Sequence, residues 1–230
     1  MKERGMIFNG EMVRAILDGR KTQTRRIVKG VPESHDFHGW VMSSTSAKDE
    51  GKACWAVGKS PLLNQPIRMH CPFGAVGDRI WVRETWADVN HDGCPAVAYR
   101  ADGEVRDLNE DDGDENDPNL EKYWFAAWYP DLVSGTEGNW TPSIHMPRWA
   151  SRITLEITDV RVEQLASISQ EDAGKEGYPA NPEPYGGSMD KWLWFRQLWD
   201  GIYPDQSFKH NPWVWVIEFK VVPNVQDNPA

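Results

Sequence analysis

From Trp213 to Val222 the chain alternates strictly, with Trp213, Trp215, Ile217, Phe219 and Val221 falling on one side of an extended backbone. A period of two is the signature of a strand with one buried face. The same signature recurs in VGDRIWVRETW, where Gly77 and Asp78 make a turn. After it, Ile80, Val82, Glu84 and Trp86 face one way and Trp81, Arg83 and Thr85 the other. It recurs again over 151–165, with Ile153, Leu155 and Ile157 opposed to Thr154, Glu156 and Thr158. Strands buried on one face suit an antiparallel sheet curled into a small barrel better than a parallel sheet between helical layers. The chain therefore reads as α+β: a small antiparallel or mixed β-barrel flanked by short helices.

The helices are brief and have polar starts. Asn9 is placed to cap a helix carrying Met12, Val13, Ile16 and Leu17, with Gly19 past its end. Ser169, followed by Asp172, opens a second helix in a box-like cap, and Trp192, Phe195 and Trp199 lie along one side of a third. Residues 30–70 show no period and are expected to form a long loop or poorly ordered insertion. Residues 88–145 form a second insertion, with a candidate strand at Ala96–Arg100, the acidic run Glu110–Asp117 and an apolar patch at Tyr123–Tyr129. One domain over 1–222 with these two insertions, and a flexible tail at 223–230, is the organisation expected. Most of the thirteen tryptophans sit at core periodicity.

Charge directs attention to one stretch. The formal net charge is -10, yet GRKTQTRR (19–26) sets Arg20, Lys21, Arg25 and Arg26 among the hydroxyls of Thr22 and Thr24 without a carboxylate. An acidic chain repels polyanions as a whole, so any such ligand must meet a local basic patch. This stretch is the candidate. Three cysteines, none in a C-x-x-C pair, argue against a disulfide framework, and the Cys and His spacings fit no common zinc site. No metal or other cofactor is expected. The N-terminus lacks the apolar core of a signal peptide and no long apolar run occurs, which predicts a soluble, cytoplasmic protein without a membrane partner.

The helix ending in LDGRKTQTRR, the strand after the Gly-Asp turn in VGDRIWVRETW, the capped helix ISQEDAGKEG and the closing strand NPWVWVIEFKVV together resemble the ASCH domain family (activating signal cointegrator homology). These segments cover about half the chain, and they resemble its phage and prophage branch, here with long insertions. The resemblance implies a PUA-like barrel and RNA-related work. It further implies, from small members that deacetylate N4-acetylcytidine with a Lys, a Thr and a Glu, an amidohydrolase site at Lys21, Thr24 and Glu176.

Amide hydrolysis needs a nucleophile, a base and a group that protonates the leaving nitrogen. A neutral lysine is the plausible activator of a threonine hydroxyl, and burial beside Arg20, Arg25 and Arg26 pushes a lysine toward neutrality, whereas Glu176 opposes it. Side chains three apart in a regular strand point to opposite faces, so Lys21 and Thr24 meet only if the chain bends between them. Thr22 is the alternative nucleophile. Glu84, on an inward face, needs a partner or faces a site. Trp81 and Trp86 are candidate stacking surfaces for a base. The expected partner is a modified nucleoside or single-stranded RNA. Beside the amidohydrolase, two readings of the same basic residues stay open: a non-catalytic RNA-binding module, and a ribonuclease.

Overall fold

The computed structural model describes residues 1–44, 46–58, 66–108, 126–182 and 187–224. In chain order these form β1 (Glu3–Ile7), α1 (Gly10–Leu17), β2 (Gln23–Ile27), β3 (Asp36–Trp40), β4 (Ala53–Ala56), β5 (Ile67–Met69) and β6 (Arg79–Arg83). Then follow β7 (Trp86–His91), β8 (Cys94–Tyr99), β9 (Val105–Asp107), α2 (Tyr129–Ser134), β10 (Thr154–Gln164), α3 (Gln170–Lys175), α4 (Asp190–Ile202) and β11 (Trp213–Val222). The strands make a five-stranded sheet in the order β1-β6-β10-β11-β2 and two three-stranded sheets, β3-β4-β5 and β7-β8-β9. With its short helices the chain is α+β. Its described residues divide into two compact units. One comprises Met1–Arg4, Asp18–Ile80 and Leu155–Val221; the other comprises Gly5–Leu17, Trp81–Thr154 and the chain from Val222.

In the first unit β11 runs between β10 and β2, and its central residues Val214, Trp215, Val216 and Ile217 are all buried. The alternation of large side chains pointed to one buried face; the structure buries both. Val214 and Val216 pack with Leu165, Ile168, Phe195, Trp199 and Phe208, and Trp215 meets Trp40 and Trp55 at centroid separations of 6.0 and 5.7 Å. A valine is apolar enough to serve a core even where larger neighbours dominate the pattern. Val221, expected on the buried face, is 56% exposed toward the end of the strand.

Residues 30–70 are not a structureless insertion. They contain the β3-β4-β5 sheet, with Phe37 paired to Trp55 and Cys54 to Arg68, and Trp55 is fully buried. Strands this short carry little periodicity, and Ala53–Ala56 is buried at every position, so no alternation marks it.

The two helices over the Val214 and Val216 side follow from their sequence. Ser169 Oγ accepts the Asp172 N–H at 3.0 Å, as its position before the helix predicts, and α4 buries Phe195 and Trp199. Because Glu176 directly follows α3, the cap that starts this short helix helps set where that carboxylate lies. Ser169→Ala is expected to lower stability by about 1 kcal/mol, measured as a shift of the urea midpoint.

In the second unit Asn9 Oδ1 accepts the Met12 N–H at 2.8 Å, starting α1 where expected. The expected strand near Ala96–Arg100 is β8, the middle strand of the β7-β8-β9 meander. Trp86, Val97, Tyr99, Met146 and Ala150 form one buried cluster, and Ala87, Val89, Ala96, Ala98 and Leu132 another. The segment 88–145 therefore includes packed sheet. The acidic run Glu110–Asp117, residues 123–125 of the apolar patch and residues 225–230 of the tail lie outside the described residues. Among the described residues no helix is long and apolar enough to cross a membrane.

Candidate active site

Past α1, Gly19 takes a left-handed φ of +71°, which favours glycine and turns the chain out of the helix. Lys21 then pairs antiparallel with Glu176, 155 residues away, at the end of α3. At Thr22 the backbone changes edges: its N–H donates to the Lys175 carbonyl at 3.0 Å, while its carbonyl accepts the Phe219 N–H at 2.9 Å. A residue in a regular ladder presents both groups to the same neighbour. The chain thus bends between Lys21 and the ordered part of β2, which resumes with Gln23 opposite Glu218, Thr24 opposite Ile217 and Arg25 opposite Val216.

The side chains that follow are ionic and enclosed. Lys21 Nζ donates to both the carbonyl oxygen and Oε2 of Glu176, each at 2.8 Å, and Arg25 Nη1 donates to Oε1 of the same carboxylate at 3.1 Å. Arg25 Nη2 reaches Glu163 at 3.1 Å and Asp172 at 3.7 Å. Arg161 continues the network to Glu163, Asp159, Glu218 and the Gln23 Oε1. Lys21, Gln23, Thr24, Arg25 and Glu176 are each exposed by 3% or less. Burial holds the Lys21 ammonium below the usual lysine range; Glu176 opposes this, and the charges of Arg26 and Arg25 reinforce it.

Lys21 and Arg25 are therefore buried among carboxylates, whereas Arg20 and Arg26 are half-buried. Lys21, Arg25 and Arg161 face five carboxylates, those of Glu176, Glu163, Asp172, Asp159 and Glu218. The sequence conceals this because every one of those carboxylates lies more than 130 residues downstream of GRKTQTRR. Arg20, beside the pair, is tied to Asp18 at 2.7 Å and to the carbonyls of Gly177 and Tyr178 at 3.2 and 2.8 Å. Arg26 is half-buried opposite Trp215.

Of the three residues singled out by resemblance, Lys21 and Glu176 are in direct contact. Thr24 is buried on β2 in the same unit, with no hydrogen bond to either. Thr22 is exposed, which separates the two hydroxyls that the spacing left open. The remaining candidates fall in the other unit. Glu84, 1% exposed, has the inward position its alternation implied, and its partner is Arg152, bound through two contacts of 2.9 Å. Burial raises the Glu84 carboxyl above the ordinary range, with Arg152 opposing. Of the two stacking candidates, Trp86 is buried, edge-on to Trp149, whereas Trp81 is half-buried with the Arg83 guanidinium 5.2 Å from its ring centre. A side chain on Gly5 would come within 2.6 Å of Trp81, so that ring is also closely approached by backbone.

Gln23 was not among the candidates. It is completely enclosed; its Oε1 accepts from Arg161 at 3.1 Å, and its Nε2 has no hydrogen-bond partner. A buried donor left unmet costs about 1–3 kcal/mol. The signal available was its place between Lys21 and Arg25, two residues from each.

No family model matches the chain, and no curated protein does. Two solved structures are similar to it. One is a protein from Enterococcus faecalis described under the family designation DUF984, at 8% identity over 100% of this chain and 86% of that one, with a TM-score of 0.38. The other is an ASCH domain from Lactobacillus crispatus, at 12% identity over 96% of this chain and 80% of that one, with a TM-score of 0.34.

Proposed function

We propose that the chain is an ASCH-type, PUA-like amidohydrolase that removes the acyl group from an N4-acylated cytidine, with Lys21 and Glu176 as its acid–base centre. The observation that carries this reading is the enclosed 2.8 Å contact between Lys21 Nζ and Glu176 Oε2. It joins two of the three residues implied by resemblance across 155 positions of sequence. The lowered lysine supplies the second requirement, a base neutral at lower pH than a free side chain. Thr24 alternates to the other face of β2, so neutral Lys21 takes its proton from water, whose oxygen attacks the acyl carbon. The C–N bond breaks, the N4 nitrogen receives that proton, and cytidine leaves. Acetate is the second product, and Glu176 holds the ammonium form of Lys21 in place while it carries the proton. Because Lys21 is closed to solvent, substrate enters by local opening beside Glu176, where Arg20 ties down the carbonyls of Gly177 and Tyr178.

The test is cytidine release from N4-acetylcytidine, followed by chromatography across neutral to alkaline pH. The neutral fraction of Lys21 grows as pH rises, so kcat/KM should climb along an acid limb and level off. The midpoint should lie below the ordinary lysine value of 10.5. Absence of cytidine at every pH sinks the reading.

A further inference from the structure

The network around Glu176 holds two enclosed donors without an acceptor: Gln23 Nε2 and Arg25 Nε. The orientation of the Gln23 amide is set by chemistry, because a guanidinium only donates and Arg161 must therefore face the oxygen. That leaves the NH2 end turned to nothing in the protein. Gln23 and Arg25 are two residues apart in the regular part of β2, opposite Glu218 and Val216, and so share a strand face. It is on this face that Arg25 reaches the carboxylate bound to Lys21. The carboxylates around this cluster are bonded to Lys21, Arg25 Nη1 and Nη2, and Arg161. What fits two idle donors is a neutral group with two lone pairs on one oxygen: a carbonyl.

We propose that Gln23 is a further catalytic residue, whose Nε2, with Arg25 Nε on the same strand face, donates to the acyl carbonyl oxygen of the substrate and to the oxyanion formed when that carbon is attacked. This rests on the amidohydrolase reading above. Donors prearranged for a developing oxyanion act mainly on kcat.

Two variants test it. Gln23→Glu keeps the oxygen for Arg161 and removes the donor; Gln23→Met removes both at similar volume. With N4-acetylcytidine the expected result for each is a fall in kcat of roughly 10²-fold. KM should change little, the acid limb should keep its midpoint in Gln23→Met, and thermal unfolding should stay near that of the unaltered protein. Binding of N4-acetylcytidine and of cytidine is measured alongside by tryptophan fluorescence. Unchanged kcat in both variants overturns the Gln23 role and leaves the hydrolase standing, as does a loss confined to KM. If the unaltered protein binds the acylated nucleoside without hydrolysing it, the hydrolase reading fails. The carbonyl contact is then judged alone, by whether Gln23→Met weakens the acylated ligand more than cytidine. Binding of neither overturns both.

Discussion

Lys21→Met is expected to lower turnover of N4-acetylcytidine by roughly 10²–10⁴-fold, the range for loss of a general base, while leaving the protein folded. The second half of that statement is the discriminating one. Removing one member of a buried ion pair usually costs about 3–5 kcal/mol because its partner is stranded. Here Glu176 is not stranded, since Arg25 Nη1 still reaches its Oε1 at 3.1 Å. Methionine also fills the lysine stem without carrying a charge into a site where burial already disfavours one. The stability change should therefore be no more than about 2 kcal/mol. Urea unfolding and turnover on the same preparation check both halves. A folded variant with full activity removes Lys21 from the chemistry; a variant that fails to fold shows that the ammonium is chiefly structural.

Arg152→Leu has the opposite profile, with a large effect on stability. Arg152 holds Glu84 through two 2.9 Å contacts, with side-chain exposures of 8% and 1%. It also meets Asp102 at 2.9 Å and stacks 4.1 Å from the Tyr99 ring centre. Without the guanidinium, Glu84 is a lone buried carboxylate, and a loss of about 3–5 kcal/mol is expected at neutral pH. The pH dependence has a definite sign. Burial already raises Glu84, and removing its opposing cation raises it further. A raised carboxyl favours folding below its unfolded value and loses that contribution as pH rises through its folded value. The deficit of Arg152→Leu should accordingly shrink on acidification, measured as urea midpoints at about pH 5 and about pH 8. Adding Glu84→Gln should recover part of it at the higher pH. A deficit independent of pH would mean that packing on Tyr99 dominates.

The strands centred on Val82, Leu155 and Ile217 were legible because alternation leaves a mark in any one segment, and the Asn9 and Ser169 caps because the signal spans only a few residues. The β3-β4-β5 sheet was not. Its strands are too short for a period, and Ala53–Ala56 is buried on both sides. At the site, the GRKTQTRR stretch drew attention through local charge, but nothing local revealed that Lys21 and Arg25 are buried among carboxylates from distant segments.

The amino-acid sequence by itself determined the strands centred on Val82, Leu155 and Ile217, the capped helix starts at Asn9 and Ser169, and the helix exit at Gly19. Those are properties of neighbours along the chain. Only the tertiary structure decided that Glu176 closes on Lys21 and Arg25, that Thr24 is buried whereas Thr22 is exposed, and that Gln23 is left with an idle donor. The physical reason is that burial and pairing depend on distance in space. The groups that neutralise this basic stretch come from β10, α3 and β11, segments that are brought to β2 only when the sheet assembles.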